Sequence, residues 1–274
     1  MRRQKARNKR GEILTKRIIF IVAAILLLLV PGTAALADGM FGPPQTLSRK
    51  SGGLNTAVAY RYAEDTFRHD ADYVVRQNQV YSQAAYGAGD IWEVYGRIGI
   101  SDLRISGAFV STDTATSTTK TDFAENWKFF GTLGAKAFFP LGKIFGIGAF
   151  VQGTYHLSNY TGNVTGVHNG TPFETDLKIK NLWDVHGGIG LQATVPWNIK
   201  LYGGPYVYYS EADAVLTPMI PGILFSAEKV SLHNKSIAGG FFGIDVPLAK
   251  GFRLNIEGQF ADRFSIGSAV TYTY

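Results

Sequence analysis

The chain has 274 residues, 27 Lys and Arg against 21 Asp and Glu, 46% apolar residues and no cysteine. A net charge of +6 would suggest nucleic acid or acidic lipid as a partner. Yet eight basic residues (Arg2, Arg3, Lys5, Arg7, Lys9, Arg10, Lys16 and Arg17) and one acid, Glu12, precede position 38, and the remainder holds 19 basic and 20 acidic residues. The composition therefore argues against a nucleic-acid partner, and the missing cysteines exclude both a disulfide framework and a lipid-anchored lipoprotein.

Residues 1–37 have the layout of a cleaved secretory signal peptide. A basic stretch precedes an apolar run over 18–30, and Ala35-Leu36-Ala37 supplies small residues for cleavage. That run is too short to span about 30 Å of hydrocarbon as a helix. A short N-terminal segment, 38–52, follows, and the remaining domain covers 53–274.

That domain is β in character. No stretch of 12 residues keeps a helical period, whereas alternation of period two recurs. Phe252, Leu254, Ile256, Gly258 and Phe260 alternate with Arg253, Asn255, Glu257 and Gln259, and 127–139 and 177–195 behave in the same way. Ten strands are predicted: 53–67, 74–87, 92–106, 125–139, 144–158, 174–195, 199–211, 228–246, 251–261 and 263–274. Eight result if the first hairpin, whose second arm alternates poorly, is not embedded.

Three features favour an antiparallel up-and-down transmembrane β-barrel over a soluble sandwich. Several strands approach 20 residues, where soluble strands average five or six. Short connections at Gly89-Asp90, 140–143, 196–198 and 247–251 alternate with long polar ones at 111–124, 159–173 and 211–228. Trp127 and Trp183 each lie 13 residues before a proline, Pro140 and Pro196, while Trp92 and Trp197 sit at the turn ends. A tilted strand of that length climbs roughly 30 Å, which places one tryptophan pair in each interfacial belt. The turns also repeat weakly at intervals of 56 and 51 residues: Phe139-Pro140-Leu141, Val195-Pro196-Trp197 and Val246-Pro247-Leu248, each followed by a lysine. Proline suits a turn because it lacks a ladder donor.

The C-terminal residues Phe264, Ile266, Val270, Tyr272 and Tyr274 alternate back from a terminal aromatic. This resembles the signal by which bacterial outer-membrane proteins are addressed to the barrel-assembly machinery, although phenylalanine is the usual last residue. With the strand–turn–strand segment 86–99, the mature chain resembles the small outer-membrane barrels of the OmpA, OmpX and Opa type. The resemblance implies a Gram-negative outer membrane, lipid and lipopolysaccharide as surroundings, and no particular surface ligand.

With the apolar set facing lipid, the inward set is Arg61, Glu93, Arg97, Lys128, Lys136, His156, Lys178, Lys180, Asp184, His186, Lys200, Arg253 and Glu257. Gln152, Tyr95, Tyr202, Tyr206 and Tyr208 join them. Side chains fill most of so narrow a barrel. One expectation is a plugged lumen, with Glu93 paired to Arg97 and Arg253 to Glu257. The other is a narrow, porin-like channel for anions, because inward Lys and Arg outnumber the acids. Neither inward histidine has companions at metal-ligand spacing, and no cofactor is implied.

Covalent chemistry has two weak candidates. His156-Leu157-Ser158-Asn159 is similar to the H-x-S-N motif of the PagL-type lipid A deacylases, with Glu174 the nearest carboxylate; strand parity turns His156 and Ser158 inward, away from lipid. Asp70-Ala71-Asp72 matches one acidic pair of the omptin proteases, but Glu211-Ala212-Asp213 lacks the histidine of the second. The Asn-x-Thr triplets at Asn159, Asn163 and Asn169 read as polar loop composition. The expectation is a non-enzymatic barrel acting through its long loops or its lumen.

Overall fold

The computed structural model describes residues 40–46, 53–88, 91–110, 115–219, 227–249 and 251–274. The leader, most of 38–52 and the turn at Gly89-Asp90 lie outside the described residues. The strands are β1 (Gly53–Arg68), β2 (Asp72–Ala88), β3 (Trp92–Ile105), β4 (Thr116–Thr118), β5 (Phe123–Pro140), β6 (Phe145–His156) and β7 (Tyr160–His168). There follow β8 (Thr171–Val195), β9 (Ile199–Met219), β10 (Glu228–Asn234), β11 (Ala238–Ala249), β12 (Phe252–Phe260) and β13 (Phe264–Thr273).

All pairings are antiparallel, and among the described residues ten strands close a ring: β1-β2-β3-β5-β6-β8-β9-β11-β12-β13 and back to β1. Closure runs from Asn55↔Thr273 to Ala63↔Ser265. The predicted hairpin of 53–87 is part of it, since β2 pairs along its length with β1 and β3. Alternation is weak there because β2 carries Gln77, Gln79 and Tyr81 inward and Asn78 and Ser82 outward, so polarity does not change between its faces.

The long connections depart from expectation. Much of 159–173 is a hairpin in which β7 pairs with the start of β8. Its two-residue turn is Asn169-Gly170, with φ of +47° and +80°, the left-handed pair that a type I′ turn requires. β9 continues to Met219 and pairs with β8 and β10, so 211–219 of the connection predicted over 211–228 is strand. Thr and Val supply β propensity in these polar stretches.

The ring has two storeys. β12 and β13 are short, and above their turn β10 reaches across to β1 through Phe67↔Asn234 and Arg68↔His233. Lys235 fastens this seam, its backbone N–H donating to Thr66 O at 2.8 Å and its Nζ lying 2.8 Å from Asp72.

Which face is apolar changes between storeys. In the lower one, Val58, Ile98, Leu133, Val151, Ile189 and Val207 are exposed outside, while Arg61, Glu93, Arg97, Gln152 and Asp184 are buried inside. In the upper one the buried residues are apolar: Phe67, Leu103, Phe123, Tyr160, Ile179 and Leu232 belong to one cluster. On β8 the exchange is made by a bulge. The register slips by one residue between Lys180 and Trp183, and Asn181 takes the left-handed conformation at φ +50°. β5 carries a second slip opposite Ser101 and Leu103, at Asn126-Trp127. One extra residue moves every later side chain to the other face.

Glycines on the strands leave room for inward rings. A Cβ at Gly243 would come within 2.3 Å of the Tyr202 ring, and one at Gly134 within 2.3 Å of Tyr95. Cross-strand coverage of glycine by an aromatic pins the register. Replacing Gly243 by Val should therefore displace Tyr202 and lower stability by about 1–3 kcal/mol, read as an earlier urea midpoint in detergent micelles.

Candidate functional site

Among the described residues, the lumen gathers charged, aromatic and main-chain groups. Alternation within each strand aims the odd residues of β1, β2 and β3 and the even residues of β6 and β9 inward. Glu93 is 1% exposed, lies 3.0 Å from Lys136 Nζ, and accepts a hydrogen bond from Asn55 at 2.9 Å. Arg253 pairs with Asp245, which is fully buried. Arg97 donates to Gln83 at 2.8 Å and Gln152 at 3.1 Å, and its guanidinium lies over the Tyr95 ring. Arg61 donates to Gln259.

The pairs therefore run across strands. Glu93 meets Lys136 and Arg253 meets Asp245, instead of the Glu93–Arg97 and Arg253–Glu257 pairs expected along one strand. Residues i and i+4 on a strand lie about 13 Å apart, whereas partners on adjacent strands are about 5 Å apart.

Residues 40–46, from the short N-terminal segment expected over 38–52, lie inside the ring. Glu257 accepts from the backbone N–H of Phe41 and of Gly42, each at 2.8 Å. Arg97 donates to Met40 O at 2.6 Å and Lys136 to Pro43 O at 3.3 Å. Met40 N–H donates to Tyr81 Oη at 3.2 Å, and Gln45 exchanges hydrogen bonds with Gln192 at 3.1 and 3.0 Å. The Phe41 ring stacks on Phe150 at 4.1 Å and meets Tyr206 and Phe241 edge-on. Gln192 is close to the turn end of β8, whereas His186 and Tyr206, beside Phe41, stand near mid-height. The segment thus climbs into the barrel from the turn side. Its available signal was Pro43-Pro44 beside apolar residues, a stretch that cannot join a ladder.

Of the predicted inward residues, Arg61, Glu93, Arg97, Lys136, His156, Asp184, His186, Lys200 and Glu257 are buried within the ring, and Arg253 is nearly so. Lys128 stands half-buried at the upper rim, 3.5 Å from Glu125. Lys178 and Lys180 depart from expectation. They precede the Asn181 bulge, so Leu177 and Ile179 turn inward and the lysines face the other way, Lys180 opposite Asp213. Asp65 and Asp245 are inward carboxylates that were not anticipated. The five inward cations Arg61, Arg97, Lys136, Lys200 and Arg253 are thus matched in number by the five inward carboxylates Asp65, Glu93, Asp184, Asp245 and Glu257 among the described residues. The cation excess on which an anion pore rested is gone.

The deacylase motif does not assemble. His156 is buried, its Nδ1 2.9 Å from Tyr160 Oη, while Ser158 is exposed beyond the end of β6. Glu174 is engaged by Asn163 Nδ2 at 2.6 Å. Ser158 escapes the predicted inward parity because β6 ends at His156. Asp72 is likewise held by Arg68 and Lys235, each at 2.8 Å.

No family model matches the chain, and no curated protein does. Among solved structures it is similar to the translocator domain of the autotransporter NalP from Neisseria meningitidis, at 11% identity over 97% of this chain and 95% of that one, TM-score 0.43. It is also similar to an outer membrane channel from Pseudomonas putida F1, at 11% identity over 87% and 100%, TM-score 0.36. A third is the Ralstonia pickettii toluene transporter TbuX, at 11% over 88% and 95%, TM-score 0.30. The fold described above rests on strand pairing.

Removing one partner of a buried ion pair leaves an uncompensated charge. Lys136→Met should destabilise by about 3–5 kcal/mol, and the double variant Glu93→Gln, Lys136→Met by less than Lys136→Met alone. Chemical unfolding of Lys136→Met, Glu93→Gln and the double variant in micelles, analysed as a double-mutant cycle, measures the coupling.

Proposed function

We propose that this chain is a transmembrane outer-membrane β-barrel with a side-chain-filled lumen, serving a structural or surface-binding role and performing no covalent chemistry. The observation that carries the reading is the inverted polarity of the lower storey. Apolar side chains cover its outside and charges its inside, which in water would expose an apolar belt far larger than soluble monomers tolerate. Rings edge that belt. Trp127, Phe129, Tyr155, Tyr209 and Phe260 are exposed near its upper margin, and Tyr86, Trp92, Phe139, Phe145 and Trp197 near its lower one. Strand rise and tilt separate the margins by roughly 20–30 Å, the height of a bilayer's apolar band between aromatic girdles.

Above the belt the pattern becomes that of a soluble protein, polar outside and apolar inside, which suits an extension into water on the outer face. In this reading lipid and lipopolysaccharide surround the belt and rim. The barrel-assembly machinery reads β13 during biogenesis, after signal-peptide export. A surface partner meets the β4–β7–β8 extension. The lumen is closed at mid-height by segment 40–46 and above it by the apolar cluster, which supports a sealed barrel over a conducting one.

Two measurements test this. Leu133, at mid-belt and 76% exposed, should cost about 2–4 kcal/mol as Leu133→Arg for refolding into lipid bilayers. Val167→Arg, on the upper hairpin, should stay within about 0.5 kcal/mol. Equal costs would refute the membrane assignment. Wild-type barrel in planar bilayers should pass no steady current, and a stable open conductance would overturn the sealed lumen.

A further inference from the structure

We infer that the turn-side half of the lumen is a peptide-binding site, and that residues 40–46 are its tethered, exchangeable occupant. Three observations carry this beyond the sealed-barrel reading. First, most of the contacts go to main-chain groups, and they need only a chain that turns at the residue after Phe41, where Gly42 has a φ of +72° and lets two successive N–H groups face one carboxylate. Glu257 binds two successive main-chain N–H groups, while Arg97 and Lys136 bind main-chain carbonyls. Side-chain selectivity comes from one slot, where Phe41 is sandwiched by Phe150, Tyr206 and Phe241. Pro44 lies against Gly148 and Gly190, where an added Cβ would approach it to 2.7 and 2.9 Å. The ligand class is therefore a short peptide in which an aromatic residue is followed by Gly-Pro-Pro, the glycine supplying the left-handed turn.

Second, the groups that hold the segment keep partners in the wall. Glu257 also accepts from Tyr202 Oη at 3.0 Å and Gln259 Nε2 at 2.7 Å. Arg97 keeps Gln83 and Gln152, and Lys136 keeps Glu93 at 3.0 Å. Departure of the segment thus leaves none of these three charges bare, unlike loss of a core strand, which would orphan its ladder. The site is organised before it is filled.

Third, the segment does not fill its site completely. A cavity of about 40 Å³ remains between Met40, Pro43, Tyr95, Arg97 and Asn255, room for about one water molecule. The apolar cluster closes the opposite end, so an exchanging peptide enters from the turn side.

The experiment replaces 47–52 of the full chain with a protease recognition sequence, cuts it in the folded barrel, and adds a fluorescent synthetic peptide of sequence 40–46. Saturable binding is expected by fluorescence anisotropy for cut barrel and not for uncut barrel. Affinity should fall at least tenfold for a peptide carrying Phe41→Ala, and similarly for cut barrel carrying Glu257→Gln. A cut barrel that retains its own segment and takes up no labelled peptide over days would overturn exchange. Equal binding of the Phe41→Ala peptide would overturn the aromatic slot. The peptide variant is measured on otherwise unaltered barrel, so the test stands even if Glu257→Gln fails to fold.

Discussion

The structure depends on one pairing, that of β1 with β13, from Asn55↔Thr273 to Ala63↔Ser265. Without it the sheet has two long edges whose N–H and C=O groups need partners. In the membrane reading those edges would face hydrocarbon, where no water substitutes. Closure also creates the lumen, and with it a second requirement. Ten strands enclose a space too narrow for bulk water and too polar to pack as an ordinary core, so each inward charge has to find its partner inside. The cross-strand pairs Glu93–Lys136 and Arg253–Asp245 meet that requirement.

The lumen is then filled in three levels, each by different chemistry. Nearest the turns, a stretch with two prolines lies along the wall and offers main-chain groups to side chains. At mid-height polar and aromatic side chains meet, with glycines opposite Tyr95 and Tyr202 making room for their rings. At the top, apolar residues from several strands pack as in a soluble core, each burial worth about 1.5–3 kcal/mol. Among the described residues the buried cations and carboxylates at mid-height are equal in number, so the cation excess that the sequence pattern suggested is absent there.

Strand positions were legible because period-two alternation survives wherever the two faces differ in polarity. Eight of the ten predicted spans match strands of the ring to within a few residues; 199–211 stops short of Met219, and 228–246 runs β10 and β11 together across 235–237. What stayed hidden had physical causes. In 159–173 the buried face of β7 holds only Tyr160 and Val164, spaced by Gly162, so the alternation against Thr161, Asn163 and Thr165 is faint, although Asn169-Gly170 marks a hairpin turn. Lys178 and Lys180 were misplaced because parity counted from Trp183 assumes an unbroken ladder, and the Asn181 bulge breaks it. Segment 40–46 has no periodicity at all; its partners Glu257, Arg97 and Lys136 lie far along the chain, and no local pattern connects them to it.

The bulges deserve a physical reading of their own, because they fall where the outward surface must change from apolar to polar. A strand crossing that level has two ways to comply. It can change composition while keeping parity, as β9 does, where inward Tyr206, Tyr208 and Ser210 give way to Ala212 and Ala214. Alternatively it keeps the same alternation and inserts one residue, as β8 does at Asn181, beside Trp183 at the belt's upper margin. The second route turns an apolar-outward set into an apolar-inward set at the cost of one unpaired position. It suits β8, which runs continuously through both storeys and would otherwise carry Leu177 and Ile179 into water. The boundary of the belt is therefore written into the backbone, and it is the level above which the chain packs like a soluble protein.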